Sequence, residues 1–442
     1  MNTPVIDFVK EYTKSGFSRF HMPGHKGKGV LGFEGFDITE IKGAGNVFCG
    51  EGIIAESEQN ATSLFGFKST LYCTEGSTQC IKAMLYLARQ AALKAGNCGK
   101  RVLAVRNIHK AFVFGCFQND IDVSWLNADC NITYDSIKNA CDLTCDKPFA
   151  LYVTSPDYYG KVLNIPEIAK ICEKLNLYLL VDNAHGAYLR FFSPSKHPVS
   201  LGAFMSADSA HKTLPVLTGG AYLQLSDKVP EDIANKAKAS LSLFCSTSPS
   251  YLILQSLDGC NAYLADGYGK KLELLIQELD NLKEKLKREG WEISRSDPLR
   301  LVIKSVSKGY TGYELAELLE KQRIQCEFGD FENLVLMFTP ENTYVELNKL
   351  EKAITAVPPS GRTANPLPKV KNLPKRVLSV RQAISSESEC VEAEKALGRI
   401  CAIPLSPFPP EVPIAVSGEE IDENIISLMK AYGIKSVWVV KE

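Results

Sequence analysis

The sequence predicts an α/β protein, a mostly parallel sheet wrapped by helices, followed by a smaller α+β module. Three observations carry this. Strand-like and helix-like stretches alternate from about residue 69 to residue 206, the signature of a sheet built from β–α–β units. The strand-like runs are short and apolar, as buried strands are. Beyond residue 290 the pattern changes to a few shorter strands and helices with a capping signal of their own.

Taken in order, residues 1–50 form an amino-terminal arm rich in glycine and aromatics, with FHMPGHKG at 20 to 27. His21 and His25 have the spacing of metal ligands on one helix face, but Pro23 and Gly24 between them oppose a regular helix. The reading is a loop or arm that lends residues to a site, its own or a partner's, and no metal centre is expected. Gly52 to Phe67 reads as a helix and Ser69 to Cys73 as a strand. Gln79 to Ala95 has apolar residues at helical spacing and is closed by Gly96, so Gly76, Ser77 and Thr78 open a helix. Backbone N–H groups, the positive end of the dipole and two hydroxyls make that turn a phosphate seat; the plainer alternative is a serine cap. Patterns at 101 to 105, 111 to 116, 149 to 154, 165 to 175, 177 to 182 and 203 to 206 continue the alternation. His109 follows the first of these, on the ligand-facing edge, where an imidazole could lie flat on a cofactor ring. Leu272, Leu275, Leu279, Leu282 and Leu286 mark a long helix ending at Gly290, read as the link between two domains. Leu299 to Lys304 and Leu334 to Thr339 read as strands, and Thr311 to Glu314 as a capping box for a helix to Gln322. Residues 357–376, with five prolines, read as an extended connector, and a helix–strand pair ends the chain. The division expected is an arm (1–50), a large domain (51–290) and a carboxy-terminal α+β domain (291–442).

With 50 basic against 51 acidic side chains, 45% hydrophobic and 23% charged residues, no net field favours nucleic acid or an anionic membrane surface. No apolar run approaches the roughly 18 residues of a membrane span and the start lacks a signal core, so the reading is a cytoplasmic protein acting on a small molecule. The 14 cysteines show no CxxC pairing; Cys141 and Cys145 are the closest pair, and no second pair completes a zinc site.

The stretch that organises the chain is SADSAHKTLPVLTGGAYL at 206 to 223, with Lys212 at its centre, just past a short apolar run. A lysine amine attacks a carbonyl only when unprotonated, and partial burial in a strand-end pocket favours that form. Upstream, LYLLVDNAHGA at 177 to 187 ends a second apolar run in Asp182. An acid and a lysine thus lie at the carboxyl ends of two strands, where open α/β sheets place ligands. An acid to hold a pyridine nitrogen protonated and a lysine to form a Schiff base are the two requirements of a pyridoxal-phosphate site.

These residues belong to an ordered set: FHMPGHKG at 20, DITEI at 37, EGSTQ at 75, RNIHKA at 106, TSPDYYG at 154, VDNAHGA at 181, SAHKTLPVLTGGAYL at 209, STSPSYL at 246 and PFPPEVP at 407. In them the chain resembles the Orn/Lys/Arg decarboxylase family of fold-type-I pyridoxal-phosphate enzymes, in its short form without a receiver-like amino-terminal domain. The resemblance implies that Lys212 carries the cofactor, Asp182 holds the pyridine nitrogen, His109 stacks on the ring and Ala184 packs beside it. It implies a phosphate site of Ser77, Thr78, Ser209 and His211 at the turn opened by Gly76, with Ser246 or Thr247 supplied by a neighbouring subunit of a homodimer. It implies decarboxylation of arginine, lysine or ornithine to the amine and CO2, a reaction of polyamine biosynthesis, with Lys212 or His211 as the proton donor to Cα. An aminotransferase on the same fold, or a silent relative kept as a binding partner, are the alternatives. The chain departs from the family where an acidic pair and a histidine are usual (Ala44 to Phe48, with Gly45 and Asn46), and at Asp157 (threonine), Asn183 (glutamate), Tyr188 (histidine), Ile403 (glutamate) and Glu411 (glycine). Asp157, Glu51 and Glu411 are the acids available to meet the distal cation of a basic substrate.

Overall fold

The computed structural model describes residues 1–126, 132–142, 146–363, 373–407 and 412–442. The described strands are β1 (Ser69–Cys73), β2 (Arg101–Ala104), β3 (Asp122–Trp125), β4 (Pro148–Thr154), β5 (Tyr178–Asp182), β6 (Met205–Asp208), β7 (Ala221–Leu225), β8 (Glu292–Ile293), β9 (Arg300–Lys304), β10 (Phe328–Gly329), β11 (Asn333–Met337), β12 (Ser388–Glu392) and β13 (Ser436–Val440). The chain divides into two compact units. One comprises Met1–Lys100, Thr144–Thr154 and Asn164–Gly269, the other Arg101–Leu143, Ser155–Leu163 and Lys270–Glu442.

In the first unit the strand order is β1-β7-β6-β5-β4. β4, β5 and β6 run parallel, with Thr154 opposite Asp182 and Asp182 opposite Ala207; β7 and then β1 are added antiparallel. β4 is buried at every position but Thr154, and β6 and β7 are buried throughout, as strands covered on both faces must be. The helix Gly76–Lys94 buries Cys80, Ile81, Met84, Leu85, Leu87, Ala88, Ala91 and Ala92 and packs on β6 and β7. The expected strand at 203 to 206 lies two residues later, at β6. Pro4–Lys14 is helical, which the glycine-rich composition of the arm does not signal. Its start is capped from far along the chain: the Asp258 carboxylate accepts from the N–H groups of Val5 and Ile6, both at 3.0 Å, satisfying donors that a helix cannot satisfy itself.

In the second unit β2 and β3 form a parallel pair. β10-β11-β9-β8 form an antiparallel sheet, over which Val302, Phe328 and Val335 make a small core with Tyr158 and Tyr159. β12 and β13 pair antiparallel beside a core of Cys401, Ala415, Ile421, Ile425, Met429 and Val439. The helix Gly312–Glu320 starts with the expected capping box, Thr311 and Glu314 each accepting from the other's backbone. The leucine-rich helix runs Tyr268–Arg288, separated from the helix Tyr251–Ala265 by Gly267 at φ +68°. Residues 364–372 of the proline-rich connector, Cys145 and Glu411 lie outside the described residues.

Candidate active site

Three strand ends and one helix start meet in the first unit. β5 ends in Asp182, which is 2% exposed. Its Oδ1 accepts from the Ala184 N–H at 3.1 Å and its Oδ2 from the Tyr152 hydroxyl on β4 at 3.1 Å, bonds that favour the ionised carboxylate. Thr154, opposite Asp182 in register, has a buried hydroxyl with no hydrogen-bond partner among the described residues.

β6 ends in Asp208, and Ser209 caps a single helical turn, Ala210–Thr213, that carries Lys212. Lys212 Nζ stands 3.3 Å from His185 Nε2, on the turn after β5. Ser209 Oγ donates to Ser77 Oγ at 2.9 Å, so the strand end carrying Lys212 meets the first turn of the helix Gly76–Lys94. There Gly76 N–H is already bonded to Gly219 O at 2.7 Å, so the groups this turn could offer an anion are the N–H groups and hydroxyls of Ser77 and Thr78. Gly219 has φ +100°, and a Cβ there would come within 2.8 Å of Thr74 O, so only glycine lets the two loops close this tightly. Ser246 N–H donates to Glu75 Oε1 at 2.6 Å, bringing the Ser246–Thr247 loop to the same helix start within one chain.

His211 bonds elsewhere than Lys212. Its Nδ1 bears the hydrogen donated to Gly220 O at 2.9 Å, and burial pushes its pKa below the ordinary histidine value, helped by the neighbouring Lys212 charge. The strand Met205–Asp208 ends in a buried acid that the sequence did not single out. The Asp208 carboxylate, fully buried, accepts from His197 Nε2 at 2.8 Å, Asn183 Nδ2 at 2.9 Å, Ser206 Oγ at 3.0 Å and Gln224 Nε2 at 3.1 Å. Val199 N–H donates to His197 Nδ1, which leaves Nε2 as the protonated nitrogen facing Asp208. A glutamate at position 183 would set a second carboxylate against this one; asparagine supplies a donor instead.

His109 belongs to the second unit. It is the N-cap of the helix Lys110–Gln118, its Nδ1 accepting from Ala111 N–H at 3.1 Å. Arg106, three residues earlier, lies 5.1 Å over the Trp125 ring and reaches the buried Glu419 at 2.7 Å. Asp157, in the same unit, is bound up in its own loop. Oδ1 accepts from Tyr159 N–H at 3.0 Å and Lys161 N–H at 2.8 Å, Oδ2 from Asn107 at 2.8 Å. It is 6% exposed, and burial pushes its pKa above the usual carboxylate range. It is thus a turn-forming acid with its oxygens already engaged. Glu51 is exposed beside the helix Gly52–Phe65, and Ile403 is 40% exposed. In the arm, His21 Nε2 meets the Tyr12 hydroxyl at 2.5 Å and His25 Nε2 meets Asp37 at 3.1 Å.

A model of the Orn/Lys/Arg decarboxylase major domain matches residues 3–305. The chain belongs to the Orn/Lys/Arg decarboxylase family. The family's carboxy-terminal domain matches residues 362–433. Among curated relatives, an uncharacterized protein of Bacillus subtilis, YaaO, is 28% identical over 99% of this chain and 95% of its own length. An arginine decarboxylase of Halalkalibacterium halodurans is 28% identical over 97% and 93%. The lysine decarboxylase LdcF of Francisella novicida has the same fold, with a TM-score of 0.82 at 17% identity, covering 99% of this chain and 81% of that one. These matches make the chain an amino-acid decarboxylase by class, with the fold-type-I α/β architecture of a family whose enzymes use pyridoxal phosphate.

The residues fit that cofactor. A buried carboxylate, an amine four residues past a neighbouring strand, and a hydroxyl-lined helix start suit a pyridine nitrogen, an aldehyde and a phosphate respectively. Sequence reasoning missed His185, Tyr152 and Asp208. His185 and Tyr152 stand in the very motifs read, but a histidine inside VDNAHGA or a tyrosine inside a buried strand has no sequence signal for what it faces.

Proposed function

We propose that this member of the family decarboxylates a basic amino acid, arginine before lysine or ornithine, to the amine and CO2, with pyridoxal 5'-phosphate held by the first unit. The observation that carries the reading is the meeting of Lys212, Asp182 and the Ser77–Ser209 hydroxyl pair at adjacent strand ends. The order of substrates is supported by arginine decarboxylases that align over almost the whole chain at 26% to 28% identity.

Lys212 holds the cofactor aldehyde through its amine. Asp182, which accepts from Ala184 N–H and the Tyr152 hydroxyl, would face the pyridine nitrogen, with Ala184 beside the ring. Ser77, Thr78, Ser209 and His211 would form the phosphate seat, completed by Ser246 or Thr247 either from the same chain, where Ser246 N–H bonds Glu75, or from a second subunit, and His109 would cover the ring. When bound, the cofactor supplies an electron sink for the pair left on Cα as CO2 departs. The chain's own part is to orient the scissile bond, exclude water and return a proton to Cα. Within this reading residues 1–50 act as an arm, 51–290 as the cofactor domain and 291–442 as a second domain, in a cytoplasmic homodimer.

The test is CO2 release from each amino acid by protein loaded with pyridoxal phosphate. Release from arginine, lysine or ornithine above the others is expected. Amino transfer to a keto acid without CO2, or no turnover by cofactor-loaded protein, would overturn the reading. Sedimentation of a fully active monomer would remove the shared site.

A further inference from the structure

Decarboxylation replaces a carboxylate by a hydrogen: the Cα–C bond breaks and leaves its electron pair, a C–H bond forms, and one proton is drawn from solvent per turnover. Two histidines lie close to Lys212 in sequence or in space, and the structure separates them. His211 is its chain neighbour, yet its Nδ1–H is committed to Gly220 O. His185 is 27 residues away, yet its Nε2 lies 3.3 Å from Lys212 Nζ. It is there because β5 and β6 are parallel neighbours: the Asn183–Gly186 turn, closed by Gly186 N–H to Asn183 O at 2.8 Å, and the Ala210–Thr213 helical turn leave the sheet side by side. His185 is 4% exposed, so the partner it offers Lys212 is screened from bulk water.

We infer that His185 is a catalytic residue, the imidazole that hands a proton to Lys212 Nζ after Lys212 has given its own to Cα. The inference rests on the proposed function and deepens it. The proton on Nζ forms the C–H bond and the His185 Nε2 proton moves to Nζ; Nε2 is then an acceptor in the resting protein and takes one proton from solvent in each new turnover before it donates again. The other titratable groups around the pair are Asp182 at the start of the same turn, Tyr152 bonded to Asp182, and His211 beside Lys212. His185 Nε2, at 3.3 Å from Nζ, is within reach of a direct proton transfer.

The experiment uses cofactor-loaded parent, His185→Phe and His185→Gln, each checked for folding by circular dichroism, and His211→Gln for comparison. The first readout needs no substrate: the pH midpoint of the resting protein's visible band. Removing an acceptor of a charged N–H lowers the midpoint by about one pH unit or more in His185→Phe. His185→Gln, which keeps a hydrogen-bonding group, stays close to the parent. The second readout is kcat, expected to fall about 100-fold in His185→Gln because glutamine cannot pass a proton, with KM changed far less. The same variant should lose its cofactor's aldehyde during turnover at least tenfold more often per product formed. A parent-like midpoint in His185→Phe together with kcat within twofold of the parent in His185→Gln overturns the inference. So does an equal fall in His211→Gln with the same aldehyde loss. If the parent itself holds no borohydride-fixable cofactor at Lys212, the proposed function fails first.

Discussion

Asp157→Asn separates two roles that a sequence cannot tell apart. If Asp157 met the distal cation of a basic substrate, a carboxylate about 4 Å from that charge would contribute roughly 4 kcal/mol at an effective dielectric near 20. Removing it would then raise KM for arginine by about 1,000-fold. The structure gives the other answer. Both carboxylate oxygens are engaged by Tyr159 N–H, Lys161 N–H and Asn107, and the Asp157 carbonyl itself accepts from Arg300 at 2.7 Å. In Asp157→Asn one amide oxygen still serves both backbone donors, and the amide nitrogen can face Asn107 once that side chain is flipped. KM for arginine should therefore change by no more than about threefold, less than 1 kcal/mol. Asp157→Ala is the stability probe. It strips two buried N–H groups and Asn107 of their acceptor, at about 1–3 kcal/mol for a buried group left unsatisfied, so a loss of about 2–4 kcal/mol is expected in urea unfolding followed by tryptophan fluorescence. A 100-fold rise in KM for arginine in Asp157→Asn, with stability unchanged and KM for a neutral amino acid unaffected, would refute the assignment.

Lys212→Ala should abolish borohydride fixation of pyridoxal phosphate, and Asp182→Ala should keep part of the bound cofactor yet lose most turnover; peptide mapping that finds the label on another lysine would contradict the first. Arg106→Ala strands the buried Glu419 carboxylate, which also accepts from Val416 N–H at 2.7 Å, and breaking such a pair costs about 3–5 kcal/mol. The pH dependence has a definite sign. Burial already holds the Glu419 pKa above its ordinary value although Arg106 pulls it down, so its contribution to stability is greatest below the unfolded-state pKa and is lost as pH rises through the folded one. Arg106→Ala should steepen that loss, visible as a larger fall in melting temperature between pH 5 and pH 7 than the parent shows. Asp258→Ala removes the cap of Pro4–Lys14 at Val5 and Ile6, a loss of about 1–2 kcal/mol, and proteolysis should clip the amino-terminal helix faster while the rest of the first unit stays resistant.

Much of the element order is legible in the residues because periodicity and termination signals are local. β1 was expected at 69 to 73 and lies there; the capping box at Thr311 and Glu314 forms as its spacing requires. The strand end at Asp182 was legible because an apolar run stops at a charged residue. Where the reading shifted, the deciding interaction came from elsewhere. The helix Pro4–Lys14 is capped by a carboxylate some 250 residues later, and no window around Pro4 contains it.

The candidate site divides along the same line. Which residue types supply an amine, an acid and phosphate donors follows from their chemistry and from their positions at the ends of apolar runs, so Lys212, Asp182, Ser77 and Thr78 could be singled out one motif at a time, while Ser209 entered through the family resemblance. Which groups those residues touch depends on strand adjacency. β5 lies next to β4 and β6, so Asp182 meets Tyr152, and Lys212 meets His185 rather than its chain neighbour His211. Asp157 shows the converse: as a bare acid in TSPDYYG it is available to a ligand, and only the folded loop reveals its oxygens already taken by Tyr159, Lys161 and Asn107. Hydrogen-bond partners of a buried group are set by three-dimensional proximity in a medium where an unpaired polar atom is costly, a constraint that a linear sequence does not display.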